Sequence, residues 1–376
     1  MGKALRATGA DGVLAWRSCE RPAAILSRAR PFRPPLSRAC GGASGPPPAP
    51  PWEAASPIVP IPTPPLGTQA DFASLSFKVT PEKVRLGRWL FFDPRLSGDG
   101  TISCATCHRP ENAFSEATPH STGIRGQQGG RKAPSFLNAA WPIYPVYFWD
   151  GRAGSLAEQA LGPMANPVEM GGKHDVIARS LGDNRGYRRI FREVYGDDGV
   201  TIDRIAEAIA AYEATRLSGN SAWDRWKAGD ESAVTDQVKL GDSLFFDKAA
   251  CAQCHVGWNF TDAQFHNLGI GWDEGRKAFA DTGRAAISGK EAETGAFKTP
   301  TLRDVSRHAP YMHDGSLATL KDTVDHYNKG GTPNPWLSAR MKKLELTPEE
   351  EDALVAFMQA LDGEGYQDTA PASFPD

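Results

Sequence analysis

The sequence predicts an all-α protein made of two related domains, and three observations carry that prediction. An eight-residue stretch occurs twice, as Leu86-Gly-Arg-Trp-Leu-Phe-Phe-Asp93 and as Leu240-Gly-Asp-Ser-Leu-Phe-Phe-Asp247, with six positions identical. Each copy precedes a Cys-x-x-Cys-His pentad, Cys104-Ala-Thr-Cys107-His108 in one case and Cys251-Ala-Gln-Cys254-His255 in the other. Helix-start signals recur along the chain, and no alternating apolar pattern is long enough for a half-buried strand.

Taken in order, residues 1–74 read as a disordered, proline-rich region or linker. Gly45-Pro-Pro-Pro-Ala-Pro-Pro, then Pro57, Pro60, Pro62, Pro64 and Pro65, favour extended chain over a packed core. Arginines break the segment before it, which lacks the uninterrupted run of roughly 7–15 apolar residues of a secretory signal. No run of about 20 apolar residues that could span a bilayer occurs anywhere. Cys19 and Cys40 are the two cysteines outside the pentads. Cys40-Gly-Gly-Ala-Ser-Gly is similar to the start of a mature bacterial lipoprotein, although Ser37-Arg38-Ala39 makes a poor lipidation box.

Thr80-Pro81-Glu-Lys supplies an N-cap and a first-turn proline, and Val84, Leu86, Leu90 and Phe91 then form a buried stripe. Ile202, Ile205 and Ile209 share one face of a helix that closes the first domain. Thr347-Pro348-Glu-Glu-Glu opens another helix near the end. Fainter echoes continue the repeat: Pro134-Ser-Phe-Leu and Trp149-Asp-Gly are answered by Pro300-Thr-Leu and His313-Asp-Gly. Two domains are expected, at 75–225 and 226–365, with a tail over 366–376.

The pentads carry the chemistry. Each pair of thiols can add to the vinyl groups of one haem, and the histidine that follows is held under the iron as its proximal ligand. A zinc site would need further Cys or His ligands at matching spacing, which the chain lacks. The fold is therefore read as two cytochrome c-like haem domains related by internal duplication, with long loops around the cofactors. Covalent haem attachment places assembly outside the bacterial cytoplasm, so a periplasmic protein is expected. A net charge of −3 offers no polybasic surface for nucleic acid or an anionic membrane.

The run Phe148-Trp149-Asp-Gly-Arg-Ala-Gly-Ser-Leu-Ala-Glu-Gln159-Ala-Leu-Gly-Pro163-Met-Ala-Asn-Pro-Val-Glu169-Met closely resembles the bacterial di-haem cytochrome c peroxidases and their relative MauG. Phe297-Lys-Thr-Pro-Thr-Leu-Arg and Ala309-Pro-Tyr-Met-His-Asp-Gly-Ser resemble the second-domain signature of the same group. The resemblance spans about residues 80–362. It implies that Trp149 relays electrons or holes between the haems, that Glu169 is the acid/base of a peroxide pocket, and that Gln159 is its polar neighbour. An oxidisable, rigidly packed indole suits the first role, and a partly desolvated carboxyl the second.

The same resemblance bears on the ligands opposite the proximal histidines. His120 is the nearest candidate for a distal ligand to the first iron, but its register and Pro119 fit poorly, so it reads as a loop residue beside an open iron. On the second iron, the residue fourteen after His313 is Tyr327, where ordinary peroxidases have methionine and MauG has tyrosine. An anionic phenolate would favour ferric and higher states; Met312 and His326 remain alternatives. Relatives hold calcium between the haems with an asparagine at the position of Lys132, and the His308 and Pro310 carbonyls fill the other matching positions. A protonated lysine has no lone pair to offer, which makes calcium doubtful.

The reaction so implied is reduction of hydrogen peroxide to water, with electrons from a small c-type cytochrome or cupredoxin arriving through the second haem. The MauG-like alternative oxidises a residue on a partner protein. A non-catalytic di-haem electron carrier is the rival of another class, and the Glu169 and Gln159 segment argues against it. Relatives are often homodimers.

Overall fold

Helices begin where threonine oxygens are placed to accept backbone N–H groups: Thr80, Thr201, Thr235 and Thr347 each bond the amide three residues on. The computed structural model describes residues 49–141 and 144–376; Cys19, Cys40 and the lipidation reading lie outside the described residues. The first half contains α1 (Pro51–Ala54), α2 (Pro81–Phe92), α3 (Cys104–Cys107), α4 (Leu156–Ala165), α5 (His174–Asp183), α6 (Arg185–Tyr195) and α7 (Ile202–Ala214). Helix α8 (Ala222–Lys227) spans the junction, and the second half contains α9 (Asp236–Phe246), α10 (Ala285–Ser288), α11 (Leu320–Asn328) and α12 (Pro348–Gln359). Strands β1 (Phe265–Asn267), β2 (Trp272–Asp273), β3 (Ala278–Phe279) and β4 (Ala296–Lys298) form two short antiparallel pairs, β1 with β4 and β2 with β3. The chain is thus mostly helical, as expected.

The glycine shared by the repeated octapeptide has the same task in each half. A Cβ on Gly87 of α2 would fall 1.8 Å from the Ala208 carbonyl oxygen and 2.9 Å from Tyr212 Cβ on α7. On Gly241 of α9 it would fall 2.0 Å from the Ala353 carbonyl oxygen and 2.7 Å from Phe357 Cβ on α12. Both helix pairs therefore cross backbone against backbone at a point only glycine can occupy. Beside each crossing the shared phenylalanine enters the core. Phe91 packs on Phe114, Phe136 and Tyr212, and Phe245 on Phe260 and Phe357. The predicted stripe of Val84, Leu86, Leu90 and Phe91 is buried.

Loop geometry repeats as well. Phe148 and Met312 both adopt positive φ, 66° and 73°, followed three residues later by Gly151 and Gly315 at 72° and 63°. Each turn is closed by a bridge, Tyr147 to Ala153 and Tyr311 to Leu317. These are the two Asp-Gly echoes of the sequence.

Two segments differ from expectation. From residue 49 the proline-rich stretch, read as a tether, is laid against the first core: Trp52 is buried and meets Trp89 edge-on at 5.4 Å. The C-terminal segment also turns back, with Tyr366 buried and the Gly186 amide donating to the Asp376 carbonyl at 2.8 Å. An indole in one case and a set of hydrogen bonds in the other outweigh local composition. Among the described residues, no helix is long and apolar enough to cross a membrane.

Replacing Gly87 with valine should lower stability by about 3 kcal/mol through overpacking of the α2–α7 crossing. Urea denaturation of the purified protein, compared with the same change at exposed Gly130, where a Cβ meets nothing within 4 Å, measures this.

Candidate functional site

The two pentads present their histidines identically. His108 Nδ1 donates to the Phe114 carbonyl at 3.0 Å and His255 Nδ1 to the Phe260 carbonyl at 2.9 Å, with both phenylalanines in the left-handed region at 55° and 50°. A carbonyl can only accept, so each Nδ1 carries the proton and each Nε2 lone pair is free for a metal. Burial lowers both imidazoles below their ordinary pKa. Cys104, Cys107, Cys251 and Cys254 form no disulfide. All six residues line two largely apolar cavities, the first pentad in one and the second in the other. Unpaired thiols, a correctly tautomerised imidazole and an apolar cleft form a donor set and enclosure that fit haem c.

The first cavity brings together His108, Trp149, Gln159 and Glu169. Helix α4 carries Gln159, and the turn after it returns Glu169, whose Oε1 accepts from Asn166 Nδ2 at 2.9 Å. Burial raises the Glu169 carboxyl, with the Arg152 charge and the Asn166 bond opposing the rise. Arg152 lies 3.5 Å over the Phe148 ring and bonds both oxygens of buried Asp150, at 3.0 and 2.9 Å. His120 is not on the cavity wall. Sequence reasoning missed Arg152, although it follows the Trp-Asp-Gly motif directly. It also missed Glu213, a buried α7 carboxyl on this wall that burial pushes up to about 8 and whose Oε2 has no partner. Only the packing of α7 reveals it.

The second cavity is lined by His255, Tyr327 and Met312 together with Met341 and Met358. Burial, then the Cys251 and Cys254 thiols, push the Tyr327 hydroxyl above its usual value. His326, one of the alternatives to Tyr327, is off the wall and donates through Nε2 to the Leu268 carbonyl at 3.0 Å. Met341 and Met358 had no motif to mark them. Near the rim, Cys254, Asp262 and His266 offer ligand atoms within 4.8 Å of one another, and the Asp262 hydrogen bond raises His266 to about 9.

Trp149 lines both cavities. Its Nε1 donates to the Lys132 carbonyl at 2.9 Å, and its carbonyl accepts from the Lys298 amide at 2.8 Å. Lys132 is buried; its amide donates to the His313 carbonyl at 2.8 Å and its ammonium to the Glu116 carbonyl. Burial, against the pull of the Glu116 carboxylate, lowers this lysine to about 8. Next to it, the His308 ring has an unpartnered Nε2 and is driven down to about 4, first by burial and then by the Lys132 charge. Arg131 ties the halves together, bonding Asp150 at 2.7 Å and Asp281 at 2.6 and 2.9 Å.

Residues 81–232 match the family model for di-haem cytochrome c peroxidase, and residues 238–362 match that for cytochrome c. With two haem-type cavities sharing an indole, these matches define an oxidoreductase of the di-haem peroxidase class. The methylamine utilization protein MauG of Methylorubrum extorquens is 42% identical over 296 residues, covering 78% of this chain and 82% of that protein. The cytochrome c551 peroxidase of Nitrosomonas europaea is 37% identical over 289 residues, covering 76% of this chain and 82% of the other. A solved structure of a MauG-like protein associated with microbial copper homeostasis superposes with a TM-score of 0.72 at 31% identity, covering 84% of this chain and 97% of that one. The chain belongs to the di-haem cytochrome c peroxidase and MauG family.

Proposed function

We propose that this protein reduces hydrogen peroxide to water with electrons relayed between two covalently held haem c groups. Cys104, Cys107 and His108 would hold the first, and Cys251, Cys254 and His255 the second. When bound, such groups supply an iron for the peroxide oxygens and a conjugated ring for oxidising charge. The observation that carries the reading is the first cavity, where a carboxyl on one wall stands with the free Nε2 of His108 on another. Glu169 takes a proton from one peroxide oxygen and returns it to the other as the O–O bond breaks. Gln159 orients the incoming molecule beside it. Two electrons and two protons complete each turnover to two waters. The electrons pass through Trp149, whose indole N–H is bonded to the Lys132 carbonyl and whose backbone carbonyl is bonded to the Lys298 amide. A small c-type cytochrome or cupredoxin is the electron donor in this reading.

One observation favours the second, MauG-like version, in which the oxidising charge is spent on a partner protein: Tyr327 is on the wall of the second cavity. As a phenolate ligand it would stabilise the oxidised iron. We further take the two halves, 75–225 and 226–365, as products of internal duplication, supported by the matched glycine crossings and positive-φ turns. Calcium is not part of the resting protein in this reading, because the Lys132 ammonium occupies the inter-haem region and donates to the Glu116 carbonyl. Assembly through thioether bonds puts the mature protein in the periplasm.

The deciding assay is peroxide-dependent oxidation of reduced cytochrome c, with and without prior reduction of the enzyme. Glu169→Gln should cut kcat by about 10²–10⁴-fold with haem content unchanged; full activity in that variant overturns the assignment. The base form of Glu169 is needed, so activity rises with pH through its raised pKa. Arg152→Leu removes a charge that holds that pKa down, and the acidic limb of the rate profile should move to higher pH. Tyr327→Phe should change the low-spin haem spectrum, whereas an unaltered spectrum assigns Tyr327 to packing. Elemental analysis should find no stoichiometric calcium.

A further inference from the structure

Lys298 is an unexplained cation at the centre of the molecule. It lies at the end of β4, lines both cavities, and is tied through its amide to the Trp149 carbonyl at 2.8 Å. Its ammonium stands 4.5 Å over the Tyr144 ring. Burial pushes it down to about 8, with no neighbouring acid acting in the other direction. The carboxylates near the junction are otherwise engaged: Asp150 and Asp281 are paired with Arg131, and Glu213 is held near its neutral form by burial. The other lysine there, the buried Lys132, already donates to the Glu116 carbonyl. Lys298 itself is half-buried, open to the two cavities; a group filling them would desolvate its ammonium, a cost that a contact with one ring face offsets only in part.

We propose that Lys298 is the counter-charge for a haem propionate where the two cavities meet, a positioning residue that fixes the cofactor edge beside Trp149 and favours the reduced iron. The proposal rests on the reading that these cavities hold haem. Haem brings the missing anion, since each porphyrin carries two carboxylates, and among the described residues this ammonium is the one cation on the wall common to both cavities without a polar protein partner. Because the amide of the same residue bonds the Trp149 carbonyl, the relay and the cofactor edge are located by a single strand position.

The test is spectroelectrochemical titration of the haem-loaded protein at fixed neutral pH, with covalent haem counted by the pyridine haemochrome method. At the potential where the wild-type haem is half reduced, Lys298→Met should show a ferrous-to-ferric ratio roughly tenfold lower, from loss of one nearby positive charge. Lys298→Arg should restore the wild-type midpoint. Should the methionine variant fail to load haem, Lys298→Gln, which keeps a polar end and drops the charge, gives the same readout. A fully loaded, neutral variant with both midpoints unchanged overturns the proposal and leaves the peroxidase reading standing. Wild-type protein without covalent haem overturns both.

Discussion

The arrangement of this molecule depends on how Trp149 is held. Its indole N–H is bonded to a carbonyl of the first half, and its own carbonyl is bonded to an amide of the second. An aromatic ring shared by two cavities could pivot if either contact were absent, because a side chain with two free torsions keeps its rotamer only when its surroundings fix it. The Lys132 segment that accepts the indole proton is in turn bonded to the His313 carbonyl, so both anchors belong to one inter-domain framework. Next to it, Asp150 takes Arg131 and Arg152 at once, which places the guanidinium near Glu169 and the bridge to Asp281 on a single buried carboxylate. The candidate acid/base pocket and the indole shared by the two cavities are thus positioned by adjacent residues of one turn.

The pentads, by contrast, need little from the rest of the chain. Each makes its own histidine ready through a local loop in which a left-handed phenylalanine turns its carbonyl to Nδ1. That self-sufficiency explains how the same short unit can serve twice in one chain while the surrounding walls diverge. The first wall carries carboxyl and amide groups; the second carries a phenol and thioethers. Like histidine loops facing unlike opposite walls would allow two chemically similar haems to take different tasks.

Much of this could be read from residues alone, for reasons that differ by feature. Thioether attachment of the kind proposed needs only a contiguous pentad, so the candidate haem sites were visible without a fold. The α2 and α12 starts were visible because capping is local: Thr80 and Thr347 bond amides three residues away. Gln159, Glu169 and Trp149 were found through resemblance, since nothing in their spacing predicts that they line one cavity. Glu213 and Lys298 escaped notice, and His308 was singled out for its carbonyl and not its ring, because their surroundings define them and those arise from contacts distant in sequence. Trp52 was misjudged for the opposite reason: the prolines around it describe the local chain, while its indole is claimed by Trp89.

The returning C-terminal segment has a mechanical consequence. Asp368 receives Arg88, Tyr212 and Arg216 of the first half, and the Pro375 carbonyl receives Arg95 and Asn184. The second lobe is therefore strapped across the first by its own trailing end, and any hinge opening between them has to unfasten that strap. The separation between the two cavities is thereby set once, when the chain closes on itself.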